Sequence, residues 1–286
     1  MEGKMSGSLN HAMIDDAQAK AAQHVADHFG EPGYPDITKA YIDQRYQGYT
    51  EENQEVWRTL YDRQMEFLAD NASDVYLNGA RSIRLVRDHI PHLSGPQSIN
   101  VYLGQLTGWA SRAVPGYLPA KSFFACLARR EFPTTVVIRP KDSIDYLPEP
   151  DIFHDVFGHV PLHADPVFAD FLQTYGKAAL TTSDPLHTER LARLFWFTVE
   201  FGLIREGGRL KLYGSGLISS PGESKHSLHA NSVDRRPFDL DRVCNTAFEI
   251  HHFQPILYVL DSFEQLRDAM NTYANRILEE APTVHA

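Results

Sequence analysis

Apolar residues recur at helical spacing along most of the chain. Val56, Trp57, Leu60 and Tyr61 repeat through to Leu68 at the three-and-four spacing that lines one helix face. Thr50 precedes Glu51 and Glu52 and reads as the N-cap of that helix, with acids in its first turn. Similar patterns predict helices over Ala72 to His89, Ser98 to Leu106, Lys121 to Arg130, Val167 to Gly176, Glu189 to Ile204, Phe238 to Thr246 and Phe263 to Glu280. Asp16 to His28 is alanine-rich and predicts a further short helix. Strand signals are fewer. Thr134 to Ile138 is β-branched and is closed by Arg139 and Pro140, and Ile256 to Leu260 reads the same way. Glu206-Gly207-Gly208 predicts a hairpin turn between Leu203-Ile204 and Leu210 to Tyr213. Glu31 to Asp36 and Thr181 to Pro185 read as loops or turns, and Gly108 to Pro119 as loop with at most a short strand. The pattern predicts one α+β domain, predominantly helical, with small β hairpins. Residues 1–49 read as an N-terminal extension, disordered up to about residue 12, and residues 50–286 as the folded domain.

Composition narrows the class. The formal charge of −10 argues against nucleic acid or an anionic membrane as partner. No apolar run approaches a transmembrane helix, and the first 30 residues lack the apolar stretch of a signal peptide, so a cytoplasmic protein is expected. Cys126 and Cys244 show no metal-ligand spacing and no disulfide framework, which predicts reduced core thiols.

Candidate chemistry concentrates in the stretch from Pro148 to Leu162, which holds two histidines and three acids within proline ends. His154 and His159 are five residues apart, roughly 140° around a regular helix, which is poor geometry for one metal ion. A break or tightening of the helix at Gly158 would let both imidazoles face one point. The best third ligand is Glu200, a lone acid in the apolar run Leu194 to Leu203, since a buried carboxylate needs a partner or a metal. Two histidines and one carboxylate with open positions suit a non-heme Fe(II) centre. The bland alternative pairs Glu200 with Arg193 and leaves two ordinary core histidines.

Pro148 to Leu162, Trp196 to Leu203 and Tyr213 to Ser220 together resemble the pterin-dependent aromatic amino acid hydroxylases, and the resemblance runs from about Trp57 to Phe263. It implies a mostly helical catalytic domain, Fe(II) held by His154, His159 and Glu200, and tetrahydropterin and O₂ as cosubstrates. It also implies an aromatic amino acid substrate. Arg139 matches the arginine that binds the substrate carboxylate, Ser219 a hydroxyl that assists it, and Trp196 the wall of the amino acid pocket. Without the resemblance, Arg139 would read as a surface ion pair with Asp142 or Asp145. Phe123 matches the ring that stacks on the pterin, and Gly116, Tyr117 and Leu118 a backbone stretch beside it. Asp155, Ala192 and Glu223 match positions around the pterin or the metal. Asp155 could equally be an acceptor that orients His154.

The chain departs from the family pattern at Phe195, where most members have tyrosine, and at Leu147, where animal members have threonine. By the resemblance, Trp196 stands where tryptophan hydroxylases tend to have phenylalanine, which disfavours tryptophan, and the apolar Ile250 where tyrosine hydroxylases place an aspartate, which favours phenylalanine, so hydroxylation of phenylalanine at the para position is expected. The chain has no room for the N-terminal regulatory domain of animal members. Its last helix lacks a sustained apolar heptad, so a monomer is expected. Two other classes compete. A zinc hydrolase could use the same ligands, but Asp155 follows His154 and the second histidine is one place too far for His-Glu-x-x-His. A non-catalytic protein with a structural metal would need a fourth protein ligand.

Overall fold

The computed structural model describes residues 12–145, 149–250 and 252–280. The expected disorder of the first residues, Leu147, Pro148 and His251 fall outside it. Helix α1 (Asp16–Asp27) is capped by the Asp15 carboxylate. Helix α2 (Glu51–Asn71) starts at the expected Thr50 cap, where a capping box with Asn53 forms, and buries Val56, Trp57, Leu60 and Leu68. Helix α3 (Asp74–Ser82) is shorter than expected, and α4 (Ile99–Thr107) follows. Strand β1 (Ala110–Val114), helix α5 (Ala120–Ala128) and strand β2 (Glu131–Thr135) form a unit in which β1 and β2 pair in parallel. Helices α6 (Pro166–Thr181) and α7 (Pro185–Phe195) come next. Strands β3 (Leu203–Glu206) and β4 (Arg209–Leu212) make the expected hairpin, with Gly207 and Gly208 at positive φ in its turn. Two helices that the sequence pattern did not single out follow, α8 (Ser215–Ser219) and α9 (Pro221–His229). Strand β5 (Asp234–Pro237), helix α10 (Leu240–Asn245), strand β6 (Ile256–Leu260) and helix α11 (Phe263–Glu280) complete the order.

The second sheet has the order β4-β3-β6-β5, with β6 parallel to both neighbours. One continuous core runs beneath it and between α2, α6, α7 and α11. Helix α11 turns Phe263, Leu266, Met270, Tyr273 and Ile277 into that core. Residues 12–49 are packed on the body of the chain: Met13 and Ile42 enter the main core, while Ala26, Ile37 and Ala40 form a second cluster with Val114, Leu118, Ala125 and Cys126. Cys126 and Cys244 are free and buried, as expected. No described helix is long and apolar enough to cross a membrane.

Three boundaries differ from the sequence pattern. Helix α3 stops at Ser82 instead of continuing to His89. Leu85 N–H bonds Ala80 O at 2.9 Å and Arg84 N–H bonds Arg81 O at 3.1 Å, a Schellman end with Arg84 at φ 55°. Strand β2 lies three residues before the β-branched run, because Thr135 N–H turns to the Asp155 carboxylate and Val137 O accepts from Ile152 N–H. The helix expected over Glu189 to Ile204 ends at Glu200, since Leu203 and Ile204 are claimed by pairing with Val259 and Leu260.

Candidate metal centre and its surroundings

Among the described residues, π-helical turns occur over Phe153–His159 and Trp196–Glu200, and together they carry the three expected ligands. This replaces the expected break at Gly158. A turn closed by i→i+5 bonds is wider than an α-turn, which brings residues five apart toward one side. His154 and His159 therefore meet, with their Nε2 atoms 3.2 Å apart and their rings crossed at 86°. Gly158 is needed for packing instead. A Cβ there would sit 3.1 Å from Ser215 O, where α8 crosses the π-turn. Gly214 has the same role beside Glu200, whose carbonyl would lie 2.4 Å from an added Cβ.

Glu200 Oε1 lies 3.2 Å from His159 Nε2, and Oε2 lies 3.7 Å from His154 Nε2. The Ser215 hydroxyl donates to Oε2 at 2.7 Å. Arg193 is elsewhere, paired with Glu189, so the bland partner for Glu200 is absent. Burial alone would raise the Glu200 carboxyl, but the two imidazoles and Ser215 outweigh it and hold it down to about 2. Burial depresses His154 to about 4 against the pull of Glu200. At neutral pH the site thus holds an ionised carboxylate and a neutral His154.

The tautomer of His154 follows from its neighbours. Ser219 Oγ donates its one hydrogen to Ser215 O at 2.8 Å, so it must accept from His154 Nδ1–H, also at 2.8 Å. That leaves the Nε2 lone pair directed at Glu200 and His159. Ser219 sits at the end of α8. Two ligands held about 2.1 Å from one ion at a right angle lie roughly 3 Å apart, so these donors fit a divalent metal. Asp155 also lies close, its ligand atom within 4.8 Å of the histidines'. Its Oδ2, however, accepts from Thr135 N–H and Oγ1 at 2.7 and 2.8 Å, and burial raises it to about 7. The alternative role for Asp155, orienting His154 through Nδ1, is filled by Ser219.

Arg139 pairs with neither Asp142 nor Asp145. Asp145 binds Arg63, and Arg139 forms a two-pronged pair with the buried Asp151 at 2.8 and 2.9 Å. Asp151 also accepts the backbone N–H groups of Arg139 and His154, each at 3.0 Å, so it ties the arginine to the metal turn. Of five guanidinium N–H donors, two go to Asp151 and one to Ile144 O, which leaves two without a partner among the described residues. Sequence reasoning gave no role to Asp151. The signal was its spacing, three residues before His154, as in an N-cap. Ser215 and Thr135 were likewise passed over.

Trp196 packs on Phe248 (4.5 Å, 15°) and Phe201, and its Nε1–H donates to Gln254 at 2.9 Å. Phe123 is half-buried, edge-on to Phe195 at 5.6 Å and to Phe132, whose ring lies 4.6 Å from His159. The Phe195 ring thus fills aromatic packing beside Phe123 and Tyr175. Leu118 is buried, Gly116 is open, and Tyr117 is 83% exposed. Ala192 lies on the exposed side of α7. Glu223 is raised to about 7 by burial, and its Oε2 has no partner among the described residues. Ile250 is 63% exposed, so it does not form a buried apolar wall against a tyrosine hydroxyl. His163 and His187 are both buried. His163 stacks on Trp109, and His187 bonds the Tyr273 hydroxyl.

Comparison with known proteins gives the family. The family described as biopterin-dependent aromatic amino acid hydroxylase matches residues 41–284. The chain belongs to that family. Among its relatives, the phenylalanine-4-hydroxylase of Ralstonia nicotianae is 44% identical over 240 residues, 84% of this chain and 75% of that one. The cobalt-bound crystal structure of phenylalanine hydroxylase from Chromobacterium violaceum aligns with a TM-score of 0.78 at 40% identity, over 84% of this chain and 87% of that chain. The iron- and phenylalanine-bound structure from the same organism aligns with a TM-score of 0.77 at 38% identity, over 86% and 90% of the two chains.

Proposed function

We propose that the protein is a phenylalanine 4-monooxygenase, converting L-phenylalanine to L-tyrosine with O₂ and a tetrahydropterin at one non-heme Fe(II). The observation that carries this reading is the convergence of His154, His159 and Glu200 in a chain of the biopterin-dependent family. Iron, pterin and O₂ supply an oxidant that protein side chains cannot. The protein supplies placement and exclusion of water. His154, His159 and Glu200 hold the metal, and Ser219 and Ser215 fix the donor atoms of two of them. Arg139, braced by Asp151, offers its two remaining N–H groups to the substrate carboxylate, and Trp196 with its aromatic neighbours encloses the ring. Gly116, Tyr117, Leu118 and Phe123 receive the pterin, with Asp155, Ala192 and Glu223 around it. We read residues 50–286 as the catalytic unit and the protein as a cytoplasmic monomer. The relatives' activity, not Ile250, now carries the preference for phenylalanine over tyrosine.

Anaerobic loading with Fe(II), followed by metal analysis, tests the ligand set. One iron per chain is expected in the parent, and loss of iron with retained fold in His154→Ala, His159→Ala and Glu200→Gln. Stoichiometric iron in any of these variants, or a parent that takes up zinc alone, contradicts the assignment.

A further inference from the structure

The loop read as the pterin contact does not hold its own position. Tyr117 points its side chain into solvent and Gly116 faces open space, so between Pro115 and Pro119 only Leu118 is buried. The wall behind it comes from residues that the sequence pattern assigned to an N-terminal extension. Ala26, Ile37 and Ala40 close an apolar cluster with Leu118, Ala125 and Cys126, separate from the main core and with Phe123 at its edge. Polar ties reinforce it. Gln23 Nε2 donates to Tyr117 O at 3.2 Å, Ser122 Oγ to Ala26 O at 2.5 Å, and Ile42 N–H to Ala113 O at 3.0 Å. The ties therefore reach β1, the loop and α5, the last two of which carry Gly116 to Leu118 and Phe123.

We infer that α1 is a positioning element of the cofactor site, with Gln23 setting the loop backbone through the Tyr117 carbonyl. The inference rests on the reading that Gly116 to Leu118 and Phe123 receive the pterin. An exposed hydrogen bond contributes little to global stability, but it helps set where a loop anchored only by Leu118 rests. Cofactor affinity should then respond to Gln23 while metal and amino acid binding do not.

The test is calorimetric titration of tetrahydropterin into the iron-loaded, oxygen-free protein, with amide exchange measured over residues 115–119. Gln23→Ala and Gln23→Glu, which cannot donate, should weaken pterin binding by about two- to tenfold and speed exchange in the loop. Iron content, melting temperature, kcat at saturating pterin and KM for phenylalanine should stay at parent values. Gln23→Lys, which keeps a donor, should restore affinity. Equal pterin affinity in parent and variants overturns the inference and leaves the proposed function standing. Loss of iron or of melting temperature alongside pterin also overturns it, marking α1 as general support. A parent that binds no tetrahydropterin overturns both.

Discussion

The Ser219 hydroxyl accepts the Nδ1–H of His154 at 2.8 Å while donating its own hydrogen to Ser215 O. One side chain thereby sets which nitrogen of His154 is bare. Ser219→Ala removes the acceptor and frees the ring to adopt the other tautomer. Fe(II) affinity should fall by about 10- to 100-fold, as for other hydrogen-bond partners of metal-bound histidines, with the fold unchanged. Competition against a calibrated chelator measures it, and an unchanged affinity would show that the bond does not orient the ligand.

Asp151 and Arg139 are a buried pair, with side chains 1% and 11% exposed. Asp151→Ala leaves the guanidinium buried without its counter-charge and strips the N–H groups of Arg139 and His154 of their acceptor. Stability should fall by about 3–5 kcal/mol in urea unfolding. Arg139→Ala should instead lower kcat/KM for phenylalanine strongly while iron content stays at the parent value. A mild effect of Asp151→Ala, below about 1 kcal/mol, would mean that the pair is not the brace described.

The buried Asp155 carboxyl, raised to about 7, makes a pH signature in the metal-free protein. A group whose folded pKa lies above its unfolded value of 3.8 stabilises the fold below that value and loses this contribution as pH rises toward 7. Asp155→Asn keeps an oxygen to accept from Thr135 but does not ionise. Relative to the parent, the variant should therefore be more stable at pH 8 than at pH 5, by up to a few kcal/mol. His154, depressed to about 4, runs the other way: its contribution fades as pH falls from 6.5 toward 4 in both proteins and cancels in the difference. A parent–variant difference that does not change with pH contradicts the placement of Asp155.

Burial raises Cys126 to about 11 and Cys244 to about 12. Neither thiol should react with a disulfide reagent at pH 8 in the native protein, and both should react on unfolding. Fast labelling of the native protein would show that one of these cysteines is reached without unfolding.

Elements fixed by neighbouring residues were legible. The Thr50 cap, the Gly207-Gly208 hairpin, the strand from Ile256 to Leu260 and the helix from Phe263 to Glu280 stand where local pattern puts them. Elements decided by distant partners were not. Arg84 ends α3 in a conformation usually signalled by glycine, and Asp155 takes the N–H that would have continued β2. The site divides the same way. His154, His159 and Glu200 stood out as polar residues in apolar runs, and their convergence is real. The means was hidden, since π-turns carry no composition signal and Gly158 suggested a break. Ser215 and Thr135 act through hydrogen bonds across 15 and 20 residues, beyond the reach of spacing rules, whereas Asp151 carried a local signal in its place three residues before His154.

The central claim is the reaction, and product identification tests it most directly. Iron-loaded protein, tetrahydropterin and O₂ are supplied with phenylalanine, tyrosine or tryptophan in turn. The account predicts tyrosine from phenylalanine, dependent on both iron and pterin, with the highest kcat/KM of the three substrates. Absence of pterin-dependent tyrosine formation, or more efficient turnover of tryptophan or tyrosine, would contradict it.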